Sequence, residues 1–285
     1  PAPAATPPAP AATPPAAVPA PAASPAAVPA SVVPPAPAVV RPALNGTSNG
    51  TATGSSSNGG AAAAATSRRA QAVRAAVARA MTASAAVPQF TVWRDLDLEP
   101  LDAARRGVSF TTLLLRGYAA ALREVPALRT RWDGAAAQPV GQLAVGLAVD
   151  TPDGLLVPVF ADPDLVPVEV LDADVRSTAA AARTGKIDAA HLLTATGTLS
   201  NLGGLGVDRF QALVTPPQAS VLSAGSSSRR PVAVPGGLGV GLRVTVGLTV
   251  DHRVADGADG ARLLAALADS CADPMRLLGP AGVRG

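Results

Sequence analysis

Asp251-His252-Arg253-Val254-Ala255-Asp256-Gly257 follows the apolar, β-rich run Leu242–Val250 and precedes the helical pattern Asp256–Ala272. The reading is strand, tight turn, helix, because Asp-Gly tolerates the sharp reversal between them. A side chain at such a strand end stands on a rigid platform. His252 is one of two histidines, and His191 lies in no comparable motif. Imidazole takes and returns protons near neutrality, so His252 is the first candidate for general-base work.

Outward from this point, the periodicity alternates between helix and strand. Val73, Val77 and Met81 recur at four-residue spacing, which predicts a helix over Ser67–Ala86 that ends before Pro88. Phe90–Leu98 alternates as a strand. Phe110–Val125 is helical, with Leu114, Tyr118 and Leu122 on one face and Pro126 as terminator. Gln142–Asp150 and Leu155–Phe160 read as two strands around Thr-Pro-Asp-Gly. A helix over Pro167–Gly185 follows, then strands at Thr194–Asn201, Ala219–Gly225, Val232–Val234 and Leu242–Val250. The fold class is α+β, with a large mixed β-sheet and flanking helices. Periodicity alone does not choose its topology.

Composition sets the boundaries. The chain has 285 residues, but residues 1–66 are almost entirely Ala, Pro, Val, Ser, Thr, Gly and Asn, with the single charge of Arg41. Repeated proline and small side chains cannot bury enough area to offset ordering entropy, so 1–66 is expected to be a linker, Ala/Pro-rich and then Gly/Ser/Asn-rich. Residues 67–285 can support one sizeable core, the catalytic domain. Net charge is only +3, aromatic residues are 2%, and arginines are scattered, which argues against a nucleic-acid surface. No stretch reads as a membrane span or signal peptide. One cysteine, Cys271, and two distant histidines make no metal set, and Cys271 reads as a small packed residue.

The segment DHRVADG resembles the DHRxxDG signature of the acyltransferase (E2) components of 2-oxo acid dehydrogenase complexes. Three further blocks agree in order and spacing. Thr198-Leu199-Ser200-Asn201-Leu202-Gly203, with Gly206, Phe210 and Pro216-Pro217-Gln218, is similar to TISNLG…G…F…PPQ. Asp150–Val159 is similar to the "tpdGLivPv" block, and Arg74–Ser84 with Val87-Pro88-Gln89-Phe90 to the entry helix. The likeness spans about residues 67–278 and implies a chloramphenicol-acetyltransferase-like fold.

The resemblance implies a dihydrolipoyllysine-residue acyltransferase that moves an acyl group between a dihydrolipoyl arm and coenzyme A. An alkyl thiol with a pKa near ~8.5 is only a few per cent thiolate at pH 7, so a positioned base helps. His252 takes that role, and Ser200 matches the serine that hydrogen-bonds the tetrahedral intermediate. Asp256 matches a supporting carboxylate that pairs with an arginine, with Arg74, Arg79 and Arg253 all open as the partner. Asp251 reads as structural. Thr198 and Asn201, flanking Ser200, are expected to bind substrate. Arg116 replaces a family lysine and is expected to meet the phosphates of coenzyme A. Gly197 stands where the family has an aromatic, and Gln89 where it has a histidine. Gly203, Gly204 and Gly206 read as turn residues, and His191 as a surface residue.

Family enzymes are trimers whose active site lies between subunits, so His252 and Ser200 are expected not to meet within one chain. The implied partners are two further copies, as a trimer alone or within a larger cubic core, a lipoyl domain carrying the lipoyl group outside this chain, and the E1 and E3 enzymes, with no nucleic acid and no membrane. A bacterial cytoplasmic location is expected. The sequence leaves open whether the chain is a fragment lacking upstream domains, and which acyl group it carries: acetyl, succinyl or branched-chain. Three other readings share some features: a non-catalytic trimeric scaffold core, a chloramphenicol-type O-acetyltransferase (a group that usually has histidine at the place of Asp251), and an Ala/Pro-rich secreted interaction protein.

Overall fold

The structure, a computed structural model, describes residues 58–279. The greater part of the expected linker, 1–57, lies outside the described residues. Helix α1 (Asn58–Ala85) begins nine residues before the expected start at Ser67. The alanine run at 61–65 accounts for this, since alanine has the highest intrinsic helix propensity. Gln89 Nε2 then bonds the Ser84 carbonyl at 3.0 Å and fixes the exit of α1 into β1 (Gln89–Asp97).

A short helix, α2 (Glu99–Ala104), precedes α3 (Phe110–Glu124). The hydroxyl of Ser109 caps α3 by accepting from Thr112 N. Ten residues of α3 are buried, from Thr112 to Leu122, which makes it the central helix of the core. Two short strands that periodicity did not reveal, β2 (Thr130–Trp132) and β3 (Ala137–Pro139), form a hairpin. The two strands expected over 142–160 are four: β4 (Ala144–Leu147), β5 (Val149–Thr151), β6 (Gly154–Leu156) and β7 (Val159–Ala161). β5 and β6 leave the main sheet as a separate hairpin. Pro158 sits at the return, where it has no N–H to continue a ladder.

Then come α4 (Val168–Arg183), β8 (Gly197–Asn201), β9 (Ser220–Ala224), β10 (Ser228–Val234), β11 (Gly237–Asp251), α5 (Gly257–Ala272) and α6 (Met275–Leu278). The main sheet has the order β1-β11-β9-β8-β4-β7, with β10 also on β11. β8 runs parallel to β4 and β9, and the other pairs are antiparallel. This is the large mixed sheet that the sequence predicts. Helices α3 and α5 pack together, and a Cβ on Gly117 would meet Leu267 Cδ1 at 2.8 Å, so a larger residue there would displace the leucine tip. Leu113, Leu115, Leu122, Leu222, Leu248 and Leu263 are fully buried between helices and sheet. Cys271 is among them, and burial pushes its thiol up to about 12.

Candidate active site

His252 leaves the end of β11 on a turn held from three sides. Its backbone N–H donates to Pro88 O at 2.7 Å, and its ring lies 4.6 Å from that of Phe90. Asp251, only 1% exposed, accepts from Arg253 Nε at 2.9 Å and Nη2 at 2.6 Å, as well as from Arg253 N at 3.0 Å. The same guanidinium lies over the Trp132 ring, 4.9 Å from its centroid. The turn is thus rigid, while the His252 side chain itself is exposed.

Asp256 does not take the arginine. It is the N-cap of α5, accepting from Ala258 N at 2.8 Å and Asp259 N at 3.0 Å, and Asp259 completes a capping box by accepting from Asp256 N. The backbone N–H of Asp259, followed by other contacts of this cap, holds the Asp256 carboxyl below the usual carboxylate range. Of the three arginines considered, Arg253 belongs to Asp251. The physical reason is proximity: a single residue separates them, and both lie on one tight turn.

Ser200 is half-buried on β8 and lines a cavity of about 590 Å³ with Asn201, Leu202, Thr111, Asp150, Arg176 and Arg183. Asn201 Nδ2 donates to Thr111 Oγ1 at 3.0 Å, while its Oδ1 accepts from Gly203 N at 2.9 Å. Thr198 is buried and donates to Gln218 Oε1 at 2.7 Å. Thr198 thus braces the strand, while Asn201 braces the loop beside Ser200 and also faces the cavity. That loop is a 3-10 turn over 203–205, and Gly206 closes it at φ 78, a left-handed conformation that favours glycine.

Within one chain the register separates Ser200 from His252. Ser200 lies opposite Ser223, and Ser223 lies opposite Gly247. His252 is five positions further along, about 16 Å at ~3.3 Å per residue, with two strand spacings across. The structure brings Ser200 to Asn201 and His252 to Phe90, but does not bring the serine to the histidine.

Arg116 corrects an expectation. It is 3% exposed, and its Nη1 donates to the carbonyls of Pro163 (3.3 Å) and Val166. Burial lowers its pKa. A guanidinium enclosed this way clamps the 162–166 turn onto α3 and has no face for a coenzyme phosphate. His191 is also more enclosed than a surface residue: Nδ1 lies 3.1 Å from Val159 O and Nε2 3.1 Å from Thr178 Oγ1.

The space opened by Gly197 is filled from α3. A Cβ on Gly197 would meet Tyr118 Oη at 2.4 Å. Tyr118 is fully buried, and its hydroxyl pairs with Ser220 Oγ at 2.7 Å. An aromatic ring therefore occupies the neighbourhood of the serine strand, supplied by a helix rather than by the strand. Gln89 likewise has a structural role, its Oε1 accepting from Val214 N at 2.9 Å. Among the described residues, no group of three His, Cys, Asp or Glu side chains could hold a metal ion, and no helix is long and apolar enough to cross a membrane.

Residues 62–279 match the family described as 2-oxoacid dehydrogenases acyltransferase (catalytic domain). The dihydrolipoyllysine-residue acetyltransferase component of the pyruvate dehydrogenase complex of Mycoplasma capricolum subsp. capricolum is 32% identical over 219 residues. The match takes in 72% of this chain and 50% of that protein, so the chain spans about half of its relative's length. Among solved structures, the cubic core of a pyruvate dehydrogenase multienzyme complex superposes with a TM-score of 0.67 at 30% identity, covering 72% of this chain and 90% of that one. Dihydrolipoamide acetyltransferase of Azotobacter vinelandii superposes at 0.66 with 32% identity, covering 70% and 88%. That structure was studied for the roles of a serine, a histidine and an asparagine in its catalytic mechanism.

Proposed function

The chain belongs to the 2-oxoacid dehydrogenase acyltransferase family, and we propose from that premise that it transfers an acyl group between a dihydrolipoyl thiol and coenzyme A. One observation carries the residue assignment. The serine and histidine studied in the Azotobacter vinelandii enzyme stand at the same sequence separation as Ser200 and His252, and the asparagine follows that histidine as Asp256 follows His252.

In this reading the coenzyme A thiol gives its proton to the His252 ring. The thiolate attacks the thioester carbonyl carbon, and the Ser200 hydroxyl donates to the oxyanion that forms. Collapse breaks the bond to the dihydrolipoyl sulfur, which takes the proton back from His252. No covalent enzyme intermediate is needed, so Cys271 has no part. Asp256 fixes the start of α5 behind the turn, and the Asp251–Arg253 pair fixes the turn itself. The distance between Ser200 and His252 supports a site shared by two copies, the histidine from one and the serine from its neighbour. A trimer, with a lipoyl domain and the E1 and E3 enzymes as partners, follows from the same premise.

The test is transfer of acetyl from S-acetyl-dihydrolipoamide to coenzyme A. His252→Ala should lower kcat by about 10²–10⁴. Mixed assemblies of His252→Ala and Ser200→Ala chains, refolded together, should regain part of the lost activity through interfaces that hold both intact residues. Wild-type turnover in His252→Ala would overturn the assignment. A folded wild-type assembly with no turnover for any acyl donor would favour the scaffold reading instead.

A further inference from the structure

A second cavity, of about 540 Å³, lies at the other end of the parallel strands from Ser200. Arg131, Trp132, Gln138, Gln142, Thr194 and Pro217 are among its lining residues. It adjoins the His252 turn, because the Trp132 ring in its wall is the one beneath Arg253. Arg131 also bridges Gln218, whose neighbour Ala219 accepts from Asp251 N at 2.9 Å.

Arg131 is the anomaly of this cavity. One of its amino groups donates to Thr194 O at 2.7 Å, but its Nε is buried without a partner among the described residues. Arg129, two positions earlier, has the same unpartnered Nε. No ion pair joins Arg131 to a carboxylate among the described residues, whereas Arg123 on α3 has both Asp162 and Asp164. Asp133 shares the cavity wall but is committed elsewhere. Its Oδ1 accepts from Ala135 N and Ala136 N, both at 2.8 Å, and its Oδ2 from Gln138 Nε2 at 2.9 Å. Burial lowers the Arg131 pKa with no opposing charge. Arg131 is half-buried in the cavity wall with no counter-ion among the described residues, so an anionic acceptor placed in the cavity would be drawn to its guanidinium. A planar guanidinium is best matched by a carboxylate or phosphate.

We propose that the cavity carrying Arg131, beside the His252 turn, is a binding site for an oxyanion borne by one of the transfer partners. Two sources share this chemistry: the terminal carboxylate of a dicarboxylic acyl group, and a phosphate of coenzyme A. Arg116, buried against carbonyls, is not available for either. The ligand's identity rests on the acyl-transfer reading, but the site itself does not.

Two measurements test it. A Trp93→Phe protein reports through Trp132 as its single tryptophan, and its fluorescence is titrated with succinate and with adenosine 3′,5′-bisphosphate at constant ionic strength. A saturable change with one of them, lost in Arg131→Gln and retained in Arg131→Lys, is expected. Absence of a saturable change with both overturns the proposal. In turnover, succinyl is compared with acetyl using pantetheine as acceptor, and coenzyme A with pantetheine using an acetyl donor. Arg131→Gln should lower kcat/KM by about 10- to 100-fold for the anionic member of one pair. An equal change for all substrates makes Arg131 a structural residue and sinks the proposal. If the titration succeeds but no substrate turns over, the oxyanion site stands and the acyl-transfer reading falls.

Discussion

The two ends of the parallel strands hold their functional side chains in opposite ways. At one end His252 projects outward from a turn whose charged clamp is local, Asp251 gripping Arg253 two residues away, while Pro88 O and the rings of Phe90 and Trp132 pin it from elsewhere in the chain. At the other end Ser200 sits within a strand, and its neighbours are fixed from far off in sequence. Thr198 reaches Gln218, and Asn201 reaches Thr111, 90 positions away. The difference teaches that the base's ion-pair clamp closes within its own turn, while the polar contacts beside the serine reach to other elements, α3 among them. Loss of the exposed His252 ring should therefore stay in the chemistry, whereas loss of the clamps around either side chain should spread into stability.

The sharpest way to break this contrast is kinetic. His252→Ala should cost about 10²–10⁴ in kcat and leave the unfolding curve nearly unchanged. Ser200→Ala should cost about 10²–10³. A larger loss at Ser200 would reverse the ranking. Next comes the local clamp. Asp251→Ala strands the Arg253 guanidinium and should cost about 3–5 kcal/mol in urea unfolding. Asp256→Ala removes only a helix cap and should lower Tm by about 2–4 °C. Equal effects would mean that the two carboxylates share one role.

A smaller effect is expected from Asp172, which links α4 to the cap of α3. Burial would raise its pKa, but bonds from Thr112, Arg176 and Ser109 outweigh that and hold it below the usual range. A depressed folded pKa stabilises the protein above the unfolded value of ~3.9, and that stabilisation is lost as pH falls through the folded pKa. Wild type and Asp172→Asn should therefore differ at pH 7 and converge below about pH 4 in unfolding free energy. The smallest expected signal is at Cys271, whose buried thiol should resist iodoacetamide at pH 8 and react once urea unfolds the chain.

Legibility in the sequence followed the range of the interactions. The strand–turn–helix around His252 was readable because turn and cap lie within a few residues, and α3, α4 and β9 were readable from apolar periodicity. The Asp256 cap was readable in principle, since an acidic residue follows three positions later at Asp259, as in a capping box. Arg116 was misassigned because its partners, the carbonyls of Pro163 and Val166, lie about 50 residues away on a turn that periodicity does not show. The break of 142–160 into four strands was hidden for a related reason: the pieces are only three or four residues long, and only the ladder tells which leave the sheet. The Arg131 cavity left no signal beyond an arginine beside a tryptophan.

The contact between Gly197 and Tyr118 has a historical consequence. In this chain the ring volume near the serine strand comes from position 118 rather than from position 197. A lineage that carries an aromatic at position 197 cannot reach this arrangement by one substitution. Enlarging position 118 first would drive two rings into the same space, and shrinking position 197 first would leave a hole costing about 3–5 kcal/mol. The order of substitution is thus constrained, and the route with the hole is the passable one for a protein with stability to spare. Relatives should therefore fall into two groups, each with a single ring in that space, and chimaeras that cross the groups between α3 and β8 should fold poorly even though both parents are sound.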